Sequence, residues 1–324
     1  MNFNDFVGND SLKRQLMALI KNKRLSHAIL LEGEKGLGKK TLAKIIAKTL
    51  VCNHAEAGLS CGVCASCLKV QKKIHPDVIY PEKSGILQSY SIATVRKIRA
   101  DAYIAANESK NKVYIFSEVD NMGVPAQNAL LKVLEEPPRN VIFILTCTSA
   151  ANVLPTIRSR MQQMALNTVS REDLHKYLIQ NYPDENLENI LRMSKGNIGL
   201  ALDLVASSDW QKSLEIFQKI VLGLASSKEF EVLMLIKPIF EDKKVAVSML
   251  NFLSETLRDA MVLSVDFSFT ENNFARSLSE KLSVKQILKL MEVTSLAKSY
   301  VEKNVNMSIL SAFFCSSLFK IING

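Results

Sequence analysis

The sequence predicts an α/β domain built on a parallel sheet, followed by two all-helical regions. Three observations predict it. Up to about residue 167, apolar runs of strand length alternate with stretches whose apolar residues recur at helical spacing, the pattern of a parallel sheet covered by helices. A glycine-rich turn, GEKGLGKKT from Gly33 to Thr41, joins the first apolar run to a helix-like one. Beyond about residue 167 the strand-length runs stop, and helical spacing alone continues to the C-terminus.

In chain order, Leu12, Leu16, Leu19 and Ile20 mark an N-terminal helix with Asp10 or Ser11 as its cap. Residues 28–31 form the first strand, and a helix follows from Thr41 through Leu42, Ile45, Ile46 and Leu50 to Cys52. A second strand covers 77–80, a helix 92–106 and a third strand 112–116. An amphipathic helix over 125–136 is ended by Pro137 and Pro138, a fourth strand covers 141–146, and a fifth closes the set by Leu166. The loops after these strands, 33–41 and 117–120 among them, should share the carboxyl edge of the sheet, where open α/β folds bind ligands. Ser170 caps the first of several short helices over 170–206, and Lys195-Gly196-Asn197 makes a turn among them. From Trp210 onward the core-facing stripes are Leu214, Phe217, Ile220 and Val221, then Leu233, Leu235 and Ile236, then Ile287, Leu288, Leu290 and Met291. The boundaries that follow are 1–167, 168–207 and 208–324.

Composition narrows the class. Hydrophobic residues make up 48 % of the 324 and charged residues 23 %, which describes a folded chain with ample core. No run approaches the roughly 18 uncharged apolar residues of a membrane span. The start, MNFNDFVGND, has no apolar signal core, so a cytoplasmic protein is expected. A net charge of +9 invites an anionic partner, nucleic acid first, although charge this evenly spread also describes a solvated basic surface. Six cysteines without a secretion signal argue against disulfides, and four of them cluster.

Two motifs carry chemistry. Gly33, Gly36, Gly38 and Lys39 set out a phosphate-binding loop, in which backbone N–H groups and a lysine cradle phosphate at a helix N-terminus. Lys40 stands where the magnesium-coordinating hydroxyl belongs, with Thr41 one place further on. After the third strand, Glu118 is present to polarise water, but Ser117 replaces the aspartate that would hold the Mg²⁺ shell. The second motif is Cys52, Cys61, Cys64 and Cys67, four soft ligands that close a tetrahedral structural zinc site; His54 or His75 could replace one of them. Such a site leaves no open position for catalysis.

RLSHAILLEGEKGLGKKTLA, the four-cysteine insertion, HPD at 75–77, QNALLKVLEEPP at 127–138 and LPTIRSR at 154–160 together resemble the clamp-loader branch of the AAA+ proteins. Within it they resemble the δ′ subunits of the bacterial DNA polymerase III clamp loader. The resemblance implies a RecA-like domain over 1–167, a helical lid over 168–207 and a helical collar over 208–324 that holds a ring together. It implies γ/τ and δ subunits, the sliding clamp and primed DNA as partners, and no membrane. Lys39 would be the phosphate-binding lysine and Thr148 a γ-phosphate sensor. Gly199 stands where the lid motif carries a second sensor, an arginine. Lys40, Ser117 and Gly199 are thus three departures from a working ATPase, which makes ATP binding doubtful and intrinsic activity unexpected. Ser159-Arg160 keeps the family's arginine finger, which acts across a subunit boundary, with Met161 in place of cysteine; Arg158 is the alternative finger and could brace the interface. The expectation is a stator that lends Arg160 to its neighbour. Two readings compete: an active γ/τ-type ATPase using Lys39, Thr41 and Glu118, and a zinc-bearing DNA-binding protein.

Overall fold

The structure is a computed structural model of the chain and describes residues 1–85, 89–183, 187–206, 216–217, 219–221, 223, 229–264, 273–303 and 305–323. Strands β1 (Ala28–Glu32), β2 (Val78–Ile79), β3 (Lys112–Phe116), β4 (Val141–Cys147) and β5 (Gln162–Ala165) pair in parallel in the order β2-β3-β4-β1-β5. Every residue of β3 and β4 is buried, as strands covered on both faces must be. Their side chains alternate between two cores. Leu30, Tyr114, Phe116, Phe143 and Leu145 pack with residues of helices α4 (Ile92–Ala102) and α5 (Val124–Glu135). Ile29, Leu31, Val113, Ile115 and Ile144 pack with α1 (Asp10–Lys21) and α2 (Lys39–Val51) on the other face.

Strand order places the site. From β1 the chain crosses to the far edge, returns through β3 and β4, and then lays β5 on the other side of β1. The reversal at β1 brings the loops after β1, β3 and β4 to one carboxyl edge.

Local expectations give way where tertiary contacts compete. Asn9, not Asp10 or Ser11, occupies the cap position of α1, and its side chain does not cap. Its amide instead exchanges hydrogen bonds with the backbone of Asn167 at 3.0 and 2.8 Å, while Asp10 pairs with Lys13 at 2.6 Å. Strand β2 keeps two residues, and helix α4 stops at Ala102 because of Asp77. Its wholly buried carboxylate accepts the backbone N–H groups of Asn107, Glu108 and Ser109 at 2.6 to 2.8 Å. Those N–H groups would otherwise prolong the helix. Helix α2 begins at Lys39, two residues before Thr41, directly after Gly38 in left-handed conformation at φ 86°.

Beyond α3 (Ala65–Gln71) and the short α6 (Pro155–Arg158), the helices are α7 (Arg171–Asn181), α8 (Leu187–Ser194) and α9 (Ile198–Ala206). Ser170 caps α7 by accepting the Asp173 N–H at 3.1 Å. The chain divides into two compact units, Met1–Leu202 and Asp203–Gly324. The second, in its described residues, is built of helices joined by turns, with α10 (Glu229–Ile239), α11 (Lys243–Leu263), α12 (Asn273–Ser279), α13 (Val284–Glu302) and α14 (Met307–Asn323). A RecA-like α/β domain followed, among the described residues, by helices without strands is therefore the architecture. Phe217, Ile220, Val221, Ile236, Ile287 and Leu290 are buried as their spacing requires, whereas Leu288 is 42 % exposed and Val232 and Ile239 are buried in place of Leu233 and Leu235. Trp210 and Leu214 lie outside the described residues. No helix among the described residues is long and apolar enough to cross a membrane.

Candidate functional site

The glycine loop leaves β1 and enters α2 as its spacing requires. Gly33, Gly36 and Gly38 all have positive φ, and Gly36, Gly38, Lys39 and Thr41 line a cavity of about 530 Å³. That volume suits a small ligand. One wall is apolar, with Phe6, Val7, Tyr177 and Leu202; the other carries Lys39, Lys40, Glu118 and Thr148. Lys39 is buried, and its ammonium turns back onto the loop, donating to the carbonyls of Gly33 and of Glu34, the latter at 2.7 Å. Burial pushes its pKa down.

Glu118 sits at the end of β3 in left-handed conformation, φ 58°, with its N–H donating to Thr146 Oγ1 at 3.1 Å. Both of its carboxylate oxygens are occupied. Lys40 Nζ lies 2.6 Å from Oε1 and Lys83 Nζ 2.5 Å from Oε2, and hydrogen bonds from these two ammonium groups hold the carboxyl at about 2. Lys40, expected where a magnesium-coordinating hydroxyl belongs, here puts an ammonium group on the carboxylate of Glu118. Ser117 brings no carboxylate, and its N–H donates to Tyr90 Oη at 2.7 Å. Thr148 donates its N–H to Asp120 Oδ2 at 2.8 Å.

Gly199 has a steric reason. Its N–H donates to the carbonyl of Gly36 at 2.9 Å, and a Cβ on Gly199 would stand 2.6 Å from Gly36 Cα. A Cβ on Gly36 would in turn meet Asn197 Oδ1 at 2.1 Å, while Asn197 Nδ2 donates to Lys35 O at 2.7 Å. Two glycines meet back to back and Asn197 stitches the contact. Any side chain at 199, an arginine included, would clash with the glycine loop in this arrangement.

Arg160 does not line the cavity. It follows α6, whose start is set by buried Gln127 of α5, which accepts the Leu154 N–H at 2.9 Å. The Arg160 guanidinium donates to Thr156 O at 2.7 Å and Ser159 Oγ at 3.2 Å, and pairs with Glu135 at 2.8 Å. Arg158 is half-buried with its Nε unpartnered.

The cysteines converge. All four Sγ atoms lie within 4.8 Å of one another, with Cys52–Cys61 at 3.6 Å and Cys52–Cys64 and Cys61–Cys67 at 3.9 Å. Four sulfurs about 2.3 Å from one tetrahedral ion would be about 3.8 Å apart, so the donor set fits a closed Cys₄ metal site. Cys52 ends α2, and Cys64 and Cys67 begin α3. The N–H groups of Val63 and Cys64 point at Cys61 and lower its thiol to about 6. His75 does not join them: it is buried, and its Nδ1 accepts the Asp77 N–H at 3.1 Å.

Sequence reasoning missed Lys83, Asp120 and Glu135 as members of these arrangements. Lys83 carried a positional signal, because it lies in the loop after β2 at the same sheet edge as Glu118.

Residues 8–170 match the family described as DNA polymerase III, delta subunit. The chain is 32 % identical over 210 residues to DNA polymerase III subunit gamma of Buchnera aphidicola subsp. Schizaphis graminum, an alignment covering 63 % of this chain and 57 % of that one. It is 35 % identical over 170 residues to subunit tau of Bacillus subtilis, covering 52 % and 30 %. Against subunit delta′ of Bacillus subtilis the identity is 26 % over 314 residues, covering 92 % and 93 %. The chain therefore spans little more than half of that gamma protein and under a third of that tau protein, but nearly the whole of the delta′ protein. With half of its length matched by the family, and with the sheet, glycine loop and LPTIRSR segment all inside the matched half, the chain belongs to the DNA polymerase III delta-subunit family.

Proposed function

We propose that this chain is a δ′-type stator of the DNA polymerase III clamp loader. It does not turn over ATP itself, and it lends Arg160 to the ATP site of a neighbouring γ/τ subunit while the sliding clamp is placed on primed DNA in replication. The observation that carries the reading is the double pairing of Glu118 with Lys40 and Lys83. A carboxylate paired with two ammonium groups has to give up at least one of them before it can join a Mg²⁺ shell or polarise water. The Gly36–Gly199 contact supports it further, because it ties lid to loop and leaves no room for the second sensor. In this reading residues 1–167 form the RecA-like domain, 168–207 the lid and 208–324 the ring-forming collar, with γ/τ and δ subunits as partners in the cytoplasm.

Zinc belongs to the same proposal. Cys52, Cys61, Cys64 and Cys67 would hold it, and it would tie α2 to α3 without taking part in chemistry. The second reading, a γ/τ-type ATPase, is favoured by the open cavity with Lys39 and Thr41 on its wall.

One experiment separates them. Arg160→Ala should leave the isolated chain folded and depress ATP hydrolysis by the reconstituted loader, while the wild-type chain alone hydrolyses no ATP. Turnover by the chain alone would move it to the motor class, and unchanged turnover in the Arg160→Ala loader would remove the finger.

A further inference from the structure

We propose that Glu135 is a positioning residue for the Arg160 finger, an inference that rests on the trans role just assigned to Arg160. Glu135 holds the last position of α5, where the partial negative charge of the helix end favours cations and disfavours a carboxylate. Glu136 follows with the same sign, and Pro137 bars any extension of the helix. Burial does not account for an acid there, since the side chain is 46 % exposed. Among the described residues its one ionic contact is Arg160, Oε1 to Nη2 at 2.8 Å. A locally unfavourable residue that finds its partner only at a functional side chain is the pattern expected where function overrides local preference.

The guanidinium is thus gripped from two sides. Its own turn supplies Thr156 O and Ser159 Oγ, and α5 supplies Glu135. The same helix sets where α6 begins, because Gln127 near its start bridges Met122 O and the Leu154 N–H, each at 2.9 Å. Helix α5 therefore carries two clamps about two turns apart. Gln127 fixes the backbone that bears the finger, and Glu135 fixes the direction of its head group. Arginine has many rotamers, and freezing them before a phosphoryl group arrives removes that ordering from the activation step. The pair is partly exposed and so weak enough to yield N–H donors to a more highly charged triphosphate.

The test is steady-state ATP hydrolysis by the loader reconstituted from full-length subunits. It compares wild type, Glu135→Ala, Glu135→Gln, Arg160→Ala and the Glu135→Ala/Arg160→Ala pair. Expected is a fall in kcat of about threefold for Glu135→Ala with KM for ATP unchanged, in line with lost preorganisation. Glu135→Gln, which keeps the volume and loses the charge, should fall in the same direction. The double variant should be no slower than Arg160→Ala alone, and the melting temperature of each isolated variant should match wild type. Wild-type or faster turnover in both Glu135 variants, beside a slow Arg160→Ala, would overturn the positioning role and leave the finger standing. A further loss in the double variant would overturn it as well, since Glu135 would then act independently of the finger. Normal turnover in Arg160→Ala would remove finger and inference together.

Discussion

At the scale of single residues, Glu118 is held by two lysines. Its carboxyl titrates near 2 in the folded chain against about 4.3 in an unfolded one, because Lys40 and Lys83 stabilise the charged form. A depressed carboxyl contributes stability that is complete above the unfolded value and is lost as pH falls toward the folded one. Glu118→Gln is expected to lower the urea midpoint at neutral pH, with the gap narrowing as pH is taken from about 4.5 to about 3. A gap that stays constant through that range would mean that packing, not charge, accounts for it. Lys40, Ser117 and Gly199 were legible by position alone as the expected departures from a working ATPase. What Lys40 does instead was not. Its partner lies 78 positions away, and that partner's second lysine 35 away, distances that only strand order closes.

At the scale of elements, two joints decide how the first unit holds together. One is the loop-to-lid contact. Gly199→Ala adds a single methyl 2.6 Å from Gly36 Cα and is expected to destabilise the fold by about 1–3 kcal/mol, seen as a lower thermal midpoint. An unchanged midpoint would mean that α9 moves freely off the loop. The other is the four-thiol link between α2 and α3. Cys64→Ser should lose about one equivalent of zinc by elemental analysis and melt at a lower temperature, and a chelator should do the same to the wild type. A wild-type preparation containing no zinc would end that assignment. Cysteine spacing announced this joint, because soft ligands close in sequence need little tertiary help to converge. The end of α4 was misjudged because apolar periodicity does not register a buried carboxylate that draws three backbone N–H groups away from the helix.

At the scale of the whole molecule, the charge of +9 bears on how nucleic acid is met. A stator needs the DNA backbone only within the assembled ring. The isolated chain should therefore bind primed DNA no tighter than about 1 μM at physiological salt, with affinity falling as salt rises. Nanomolar binding by the chain alone would favour the zinc-bearing DNA-binding reading instead.

The sequence by itself determined the α/β order of the first half, the helical second half, the glycine loop at the sheet's carboxyl edge and the four-thiol cluster. Each is written in periodicity or short spacing, and burial of an apolar face or closure of a short loop follows from neighbours along the chain. Only the tertiary structure decided that Glu118 is held by two lysines, that Gly199 backs onto Gly36, that Asn9 ties down Asn167, and that Glu135 grips Arg160. Those partners are far apart in the chain. They meet because the order β2-β3-β4-β1-β5 gathers distant loops: those after the strands at the carboxyl edge, where Glu118, Gly36 and Asn167 lie, and those before β4 and β5 at the amino edge, where Glu135 meets Arg160.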